Sequence, residues 1–232
     1  MSKRNTIKVY DGPSLLDGIR IIVLLTGLAR KSKNPKTGDM LQTWIMRYDT
    51  DPQEAVDNGK DASVCGNCPL RPIHYKAKNM PKPCYVHTWQ APKATWNANK
   101  DLEVTDSETV VQLVSGRKVR RGAYGDPTAV PQGVWSMLDN GETSTGYTHQ
   151  WKQEKRLQGM VMASVHTPEE RLEAKALGFR TFRVMDTLEL QPGEVLCPAS
   201  KEAGERTSCE KCGLCNGSKE NDKRKDVAIV AH

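Results

Sequence analysis

Seven cysteines, five of them in Cys-x2-Cys spacing, constrain this chain more than any other feature. An odd number of thiols spaced this way, with no signal-peptide pattern ahead of them, points to metal or redox chemistry in a reducing cytoplasm, not to a disulfide framework. The C-terminal set reads Cys197-x11-Cys209-x2-Cys212-x2-Cys215. Three thiols at i, i+3 and i+6 wrap one compact turn around a cubane. A fourth from a remote segment completes the ligands, as in bacterial ferredoxins, where proline often follows the remote cysteine. Here Pro198 follows Cys197. The spacing predicts that all four converge on one metal centre, a 4Fe-4S cluster ahead of zinc, because structural zinc prefers paired Cys-x2-Cys knuckles.

The N-terminal set is Cys65-x2-Cys68-x15-Cys84, with His87 following. With the histidine, the spacing suits a Cys3His zinc site. Without it, three thiolates hold a four-iron cluster with one open iron, a position able to take S-adenosylmethionine through its amino and carboxyl groups. Both readings stand at this level.

With two Phe among 232 residues and an apolar share of 37%, the core must be assembled from Val, Leu, Ile, Met and Ala. A chain of this length accommodates at most two domains. The longest apolar stretch, residues 19–25, is interrupted by Arg20, so no membrane span is expected. The net charge of +6 is spread among both signs, which favours an anionic partner without forming the basic stripe of a DNA-binding domain. A small molecule, a nucleic acid or a host protein are the partners this leaves open.

Residues 19–28 and 40–48 flank the turn-rich segment 34–39 and read as a hairpin. Residues 51–100, dense in Pro, Asn, Lys and Gly, read as an irregular region ordered by bound metal. From residue 104, β-prone runs at 118–124, 146–149, 160–165 and 180–185 alternate with helical stretches. The clearest helix has Thr167 as N-cap, Pro168 in its first turn, Glu170 completing a capping box and Gly178 as its stop. A last short strand is expected over 227–231. The expected architecture is α/β, a partial (β/α) barrel or open parallel sheet with cysteine-rich metal-binding loops. Residues 1–103 supply the hairpin and the first cysteine set; residues 104–232 supply the α/β region and the second, the two forming one integrated domain.

In such folds ligands bind outside the carboxyl ends of the strands. Tyr124, Asp126, His149 and Gln150 end two of the β-runs and are the candidate catalytic residues, expected to share one cavity. Ser164 and His166 end a third. Arg180 and Arg183 fall on opposite faces of a strand, one pointing inward to a carboxylate or phosphate and the other solvated. Trp89 and Trp96 with Lys93 offer either base-stacking platforms or packing against the first cysteine set. No Walker loop, GxGxxG or Ser-His-Asp signature occurs, so nucleotide hydrolysis and dinucleotide binding have no support.

The ordered motifs Cys65-Gly66-Asn67-Cys68-Pro69, Cys84-Tyr85-Val86, Arg121-Gly122-Ala123-Tyr124-Gly125-Asp126-Pro127, Gly146-Tyr147-Thr148-His149-Gln150-Trp151 and Cys197-Pro198 run from about Thr26 to the C-terminus. With the final cysteine run, this set resembles cysteine-rich phage and plasmid proteins of unassigned function, themselves distantly similar to phage radical-SAM-like proteins. The resemblance implies a mobile-element origin and a radical-SAM-like partial barrel. The spacing Cys-x2-Cys-x15-Cys stands where radical-SAM enzymes carry a compact Cys-x3-Cys-x2-Cys run.

Overall fold

A computed structural model describes residues 4–32, 34–76 and 84–231. Three strands open the chain as an antiparallel meander: β1 (Thr6–Pro13), β2 (Arg20–Thr26) and β3 (Leu41–Arg47). The hairpin expected from the sequence is β2 and β3; β1 adds a strand whose Ile7 and Val9 are buried beside it.

Residues 51–100 differ from the irregular region expected. They carry α1 (Pro52–Asp57), α2 (Ala62–Cys65), α3 (Pro72–Lys76) and α4 (Ala91–Asn99). These helices are only four to nine residues long, too short for a 3.6-residue repeat to show against the local composition. A local hydrogen-bond cap starts the first of them: the Asp51 carboxylate accepts from the amides of Gln53 and Glu54 at 2.8 and 3.1 Å.

Then follow α5 (Ser107–Val114), β4 (Val119–Tyr124), α6 (Gln132–Met137), β5 (Thr145–Thr148) and β6 (Met162–Val165). The remainder is α7 (Pro168–Ala176), β7 (Thr181–Met185), β8 (Glu194–Leu196), α8 (Cys209–Cys212) and β9 (Asp226–Val230). Among the described residues nine strands form one open sheet in the order β1-β2-β3-β4-β5-β6-β7-β9-β8. From β3 onward every pair is parallel. The fold is therefore α/β with an open, mostly parallel sheet, and the last strand slots between β7 and the β8 edge strand.

The two faces of the sheet are used differently. Ala163 and Val165 of β6 are buried with Ala174 of α7 and Phe179, whereas Ser164 between them lines a cavity on the other face. This is the alternation a strand imposes. Helix α7 begins as the sequence predicts, the Thr167 hydroxyl accepting from the Glu170 amide at 3.2 Å. The Glu170 carboxylate accepts from the amide of His166, one residue earlier than the capping box places it.

Arg180 and Arg183 are both buried, so neither is the solvated charge expected of one of them. Arg183 forms a two-pronged ion pair with Glu194 of β8, at 2.8 and 2.6 Å. Glu194 and Asp226 of β9 also pair with Arg171 of α7, at 3.4 and 2.9 Å, so four charges knit α7, β7, β8 and β9 together. Arg180 donates to the carbonyls of Leu214 (2.7 Å) and Asn216 (3.1 Å), on either side of Cys215. Both guanidiniums meet internal acceptors, and of their buried nitrogens only the Arg180 Nε is left without a hydrogen-bond partner among the described residues.

Candidate functional site

The first cysteine set begins at the end of α2. Cys65 closes that helix, Gly66 takes a positive φ of 57°, and the amide of Cys68 donates back to the carbonyl of Cys65 at 3.2 Å. Arg71 holds this turn from behind. It pairs with the Asp61 carboxylate at 3.0 and 2.7 Å and donates to the carbonyls of Gly66 and Gly59 at 2.9 and 2.8 Å. The end of β4 is pressed against the same helix: the Asp126 amide donates to the Val64 carbonyl at 2.6 Å. A side chain at Gly125 would meet Ile45 and Val64, so only glycine permits this approach.

Strand β4 is bulged where it nears the site. Gln42 pairs with Arg120 and Trp44 with Tyr124, so β4 spends four residues where β3 spends two. Gly122, at φ 73°, absorbs the turn, and its amide donates to the Thr43 hydroxyl at 2.8 Å. The bulge re-aims Tyr124 toward the cysteines, a common use of bulges near functional sites.

Cys65, Cys68 and Cys84 line one cavity of about 420 Å³ together with Tyr124, Asp126 and His149. Three of the four residues expected at the strand ends thus meet there. Gln150 does not; it sits behind the wall, its amide donating to the Cys65 carbonyl at 3.2 Å, and it holds the cysteine turn in place. His87 lies outside the cavity, exposed and edge-to-face with Trp89 at 6.0 Å. Trp96 is half-buried and donates to the Arg47 carbonyl at 2.7 Å, while Lys93 pairs with Asp51 at 3.2 Å. The second tryptophan is thereby committed to packing, not to a stacking platform.

The polar groups in the cavity play distinct parts. Asp126 accepts four hydrogen bonds, from the Thr128 amide and hydroxyl, the Thr148 hydroxyl and the His149 amide, at 3.0, 2.7, 3.1 and 2.8 Å. It clamps the ends of β4 and β5; burial raises its pKa and these donors oppose the rise. His149 stacks on His166 with Nε2···Nε2 at 3.3 Å, so one imidazole donates and the other accepts. Burial first and His166 second push His149 down to about 3, leaving it neutral at physiological pH.

All four C-terminal cysteines line a second, smaller cavity of about 110 Å³. Cys197 follows β8 and its amide donates to Ala228 of β9 at 2.7 Å; Cys209 and Cys212 bound α8; the carbonyl of Cys215 accepts from Gly146 of β5 at 3.1 Å. Gly213, at φ 63°, turns the chain out of α8 toward Cys215. Burial foremost, against the Tyr147 hydroxyl and with the other three thiols adding to it, pushes Cys215 up to about 12.

Four residues that the sequence reading does not assign to the site, Lys36, Tyr147, Phe182 and Ile229, line both cavities. The Tyr147 and Phe182 rings lie 4.5 Å apart and form the wall between them. Tyr147 was accessible to strand alternation, since it is two residues before His149 and must share its face. Lys36 was not, because its turn reads as a plain hairpin connection.

The donor sets suit thiophilic metal. Burial foremost, with charge from neighbouring thiols, raises the pKa of Cys65 and Cys68. Among the described residues no group of three or more His, Cys, Asp or Glu closes on a single ion. None of the seven cysteines forms a disulfide. No family model, curated protein or solved structure matches the chain.

Proposed function

We propose that this chain is an iron–sulfur protein with two cysteine-held centres on the face of the sheet opposite α7. The C-terminal centre is closed by Cys197, Cys209, Cys212 and Cys215; the N-terminal one, on Cys65, Cys68 and Cys84, is open toward the larger cavity. The observation that carries the reading is that each sequence-defined set borders its own cavity, with residues distant in the chain brought together by β8, β9 and α8.

The position of His87 supports the open form, because the fourth ligand of a Cys3His zinc site lies outside the cavity. A cluster with one open iron supplies an electron and a coordination position for a ligand's amino and carboxyl groups, the chemistry used with S-adenosylmethionine. About 420 Å³ is within the range of small-molecule sites. The motif resemblance read from the sequence implies the same class of ligand and a mobile-element origin.

The chain's own residues then have defined tasks. Arg71 and Gln150 hold the Cys65–Cys68 turn, Asp126 fixes the strand ends, and neutral His149 lines the cavity with its Nε2 engaged by His166. Protein purified without oxygen is expected to be brown, with iron and sulfide. Added S-adenosylmethionine should alter the electron-spin resonance of the reduced wild type and leave a Cys68→Ser variant unchanged. Colourless protein with stoichiometric zinc contradicts the proposal and favours a structural module that binds nucleic acid or a host protein.

A further inference from the structure

We infer that the Tyr124 hydroxyl is the hydrogen-bond donor to the thiolate-bound metal centre on Cys65, Cys68 and Cys84. The inference rests on the proposed function only in taking those thiols as ligands, whichever thiophilic metal they hold. Tyr124 is 4% exposed and lines the cavity with all three cysteines, yet among the described residues its hydroxyl has no hydrogen-bond partner. Other tyrosines are satisfied: Tyr10 donates to the Pro13 carbonyl at 2.8 Å and Tyr48 to Asp101 at 3.0 Å. At the second cysteine site, the Tyr147 hydroxyl meets the Cys215 thiol.

A buried hydroxyl without a partner is costly, and phenylalanine would fill the same volume without that cost. Cys65, Cys68 and Cys84 line the cavity beside Tyr124, and Cys65, Asp61, Cys84 and Arg71 are the ionisable neighbours that act on its hydroxyl. Asp61 is already engaged by Arg71 through both its oxygens. The cysteines remain. A neutral thiol is a weak acceptor, but a metal-bound thiolate or a bridging sulfide is a strong one, so binding creates the acceptor that the hydroxyl lacks. The β4 bulge at Gly122, which aims Tyr124 at the cysteines, thereby gains a purpose beyond strand pairing. Tyr124 is a positioning residue in this account: it orients and tunes the sulfur ligands and takes no part in bond making.

The test compares wild type with Tyr124→Phe, metal-free and loaded in two arms, iron with sulfide under anaerobic conditions and zinc alone. In the metal-free protein the variant is expected to unfold at the higher temperature, since an unpaired polar group has been removed. In the loaded protein the order should reverse, with metal lost at lower chelator concentration. In the iron arm the midpoint potential of the N-terminal centre should become more negative, because a donor to sulfur has gone. Tyr10→Phe, far from the cavity, should show neither reversal nor shift. A Tyr124→Phe difference of the same sign and size with and without metal, or unchanged potential and retention, overturns the inference. Reversal in the zinc arm, with no iron bound, sinks the iron reading and keeps the tyrosine assignment; a wild type that binds neither metal at this set overturns both.

Discussion

At the scale of single residues, the site depends on groups that never face the cavity. Arg71 ties Asp61, Gly59 and Gly66 into one cross-link behind the Cys65–Cys68 turn. Arg71→Leu leaves Asp61 buried without its partner, and breaking such a pair costs about 3–5 kcal/mol. The expected outcome is a drop of that order in urea-unfolding free energy, with looser metal retention. His149 gives a pH-dependent prediction. Its folded-state pKa is about 3, against about 6.5 for an unperturbed histidine. Between those values the unfolded chain binds the extra proton, so His149's contribution to stability is complete above about pH 6.5 and declines as pH falls toward 3. Wild type should therefore lose more stability between pH 7.5 and 5 than His149→Gln, as read from urea midpoints; equal losses would show that the ring is not held neutral. Sequence made the polar identities at the strand ends legible, since Tyr124 and His149 follow from where β-runs stop. It could not separate Asp126 as a four-donor clamp from Asp126 as a catalytic group, because that distinction lies in Thr128 and Thr148 hydroxyls approaching from two different elements.

At the scale of elements, the C-terminal cysteine site is assembled by edge pairing. Strand β8 is three residues long and carries Cys197 at its end, so its hold on β9 needs help. The buried carboxylates of Glu194 and Asp226, shared among Arg183, Arg171 and Lys175, supply it. Glu194→Gln removes the charge facing two buried guanidiniums, and a destabilisation of about 3–5 kcal/mol is expected. Hydrogen exchange should rise first in β8 and in the loop to α8, leaving the β1–β3 meander protected. Uniform exchange across the sheet would contradict a local role for the network. Strands β4 to β7 were legible because each is a short β-prone run bounded by turn residues, and α7 because its cap is written in Thr167, Pro168 and Glu170. Strand β8 was not: Glu194-Val195-Leu196 has no alternation to show, and it is a strand only because β9 lies beside it. Helices α1 to α4 were hidden for a related reason: they are too short to show a period, and what holds α1 and α2 is the Asp51 cap and the packing of Ala55, Val56 and Val64 into the core.

At the scale of the whole molecule, chain order and spatial order nearly coincide across the sheet, so the strand ends from β4 to β7 present their residues in sequence along one edge. Insertion of β9 inside β8 brings Cys197 and the final cysteine run to the same face as Cys65 and Cys68. No helix among the described residues is long and apolar enough to cross a membrane. Spacing alone grouped the cysteines into the two sets that each border a cavity; the adjacency of the cavities across the Tyr147–Phe182 wall was not legible, since it requires β5, β7 and β9 to be neighbours. Two separate centres side by side is the central claim. Its most direct measurement is iron and sulfide per chain in anaerobically purified wild type, Cys68→Ser and Cys212→Ser. Each single variant is predicted to retain about half the wild-type iron, with the remaining half differing in its spectrum between the two; loss of all iron from either variant, or zinc in place of iron in the wild type, would contradict the account.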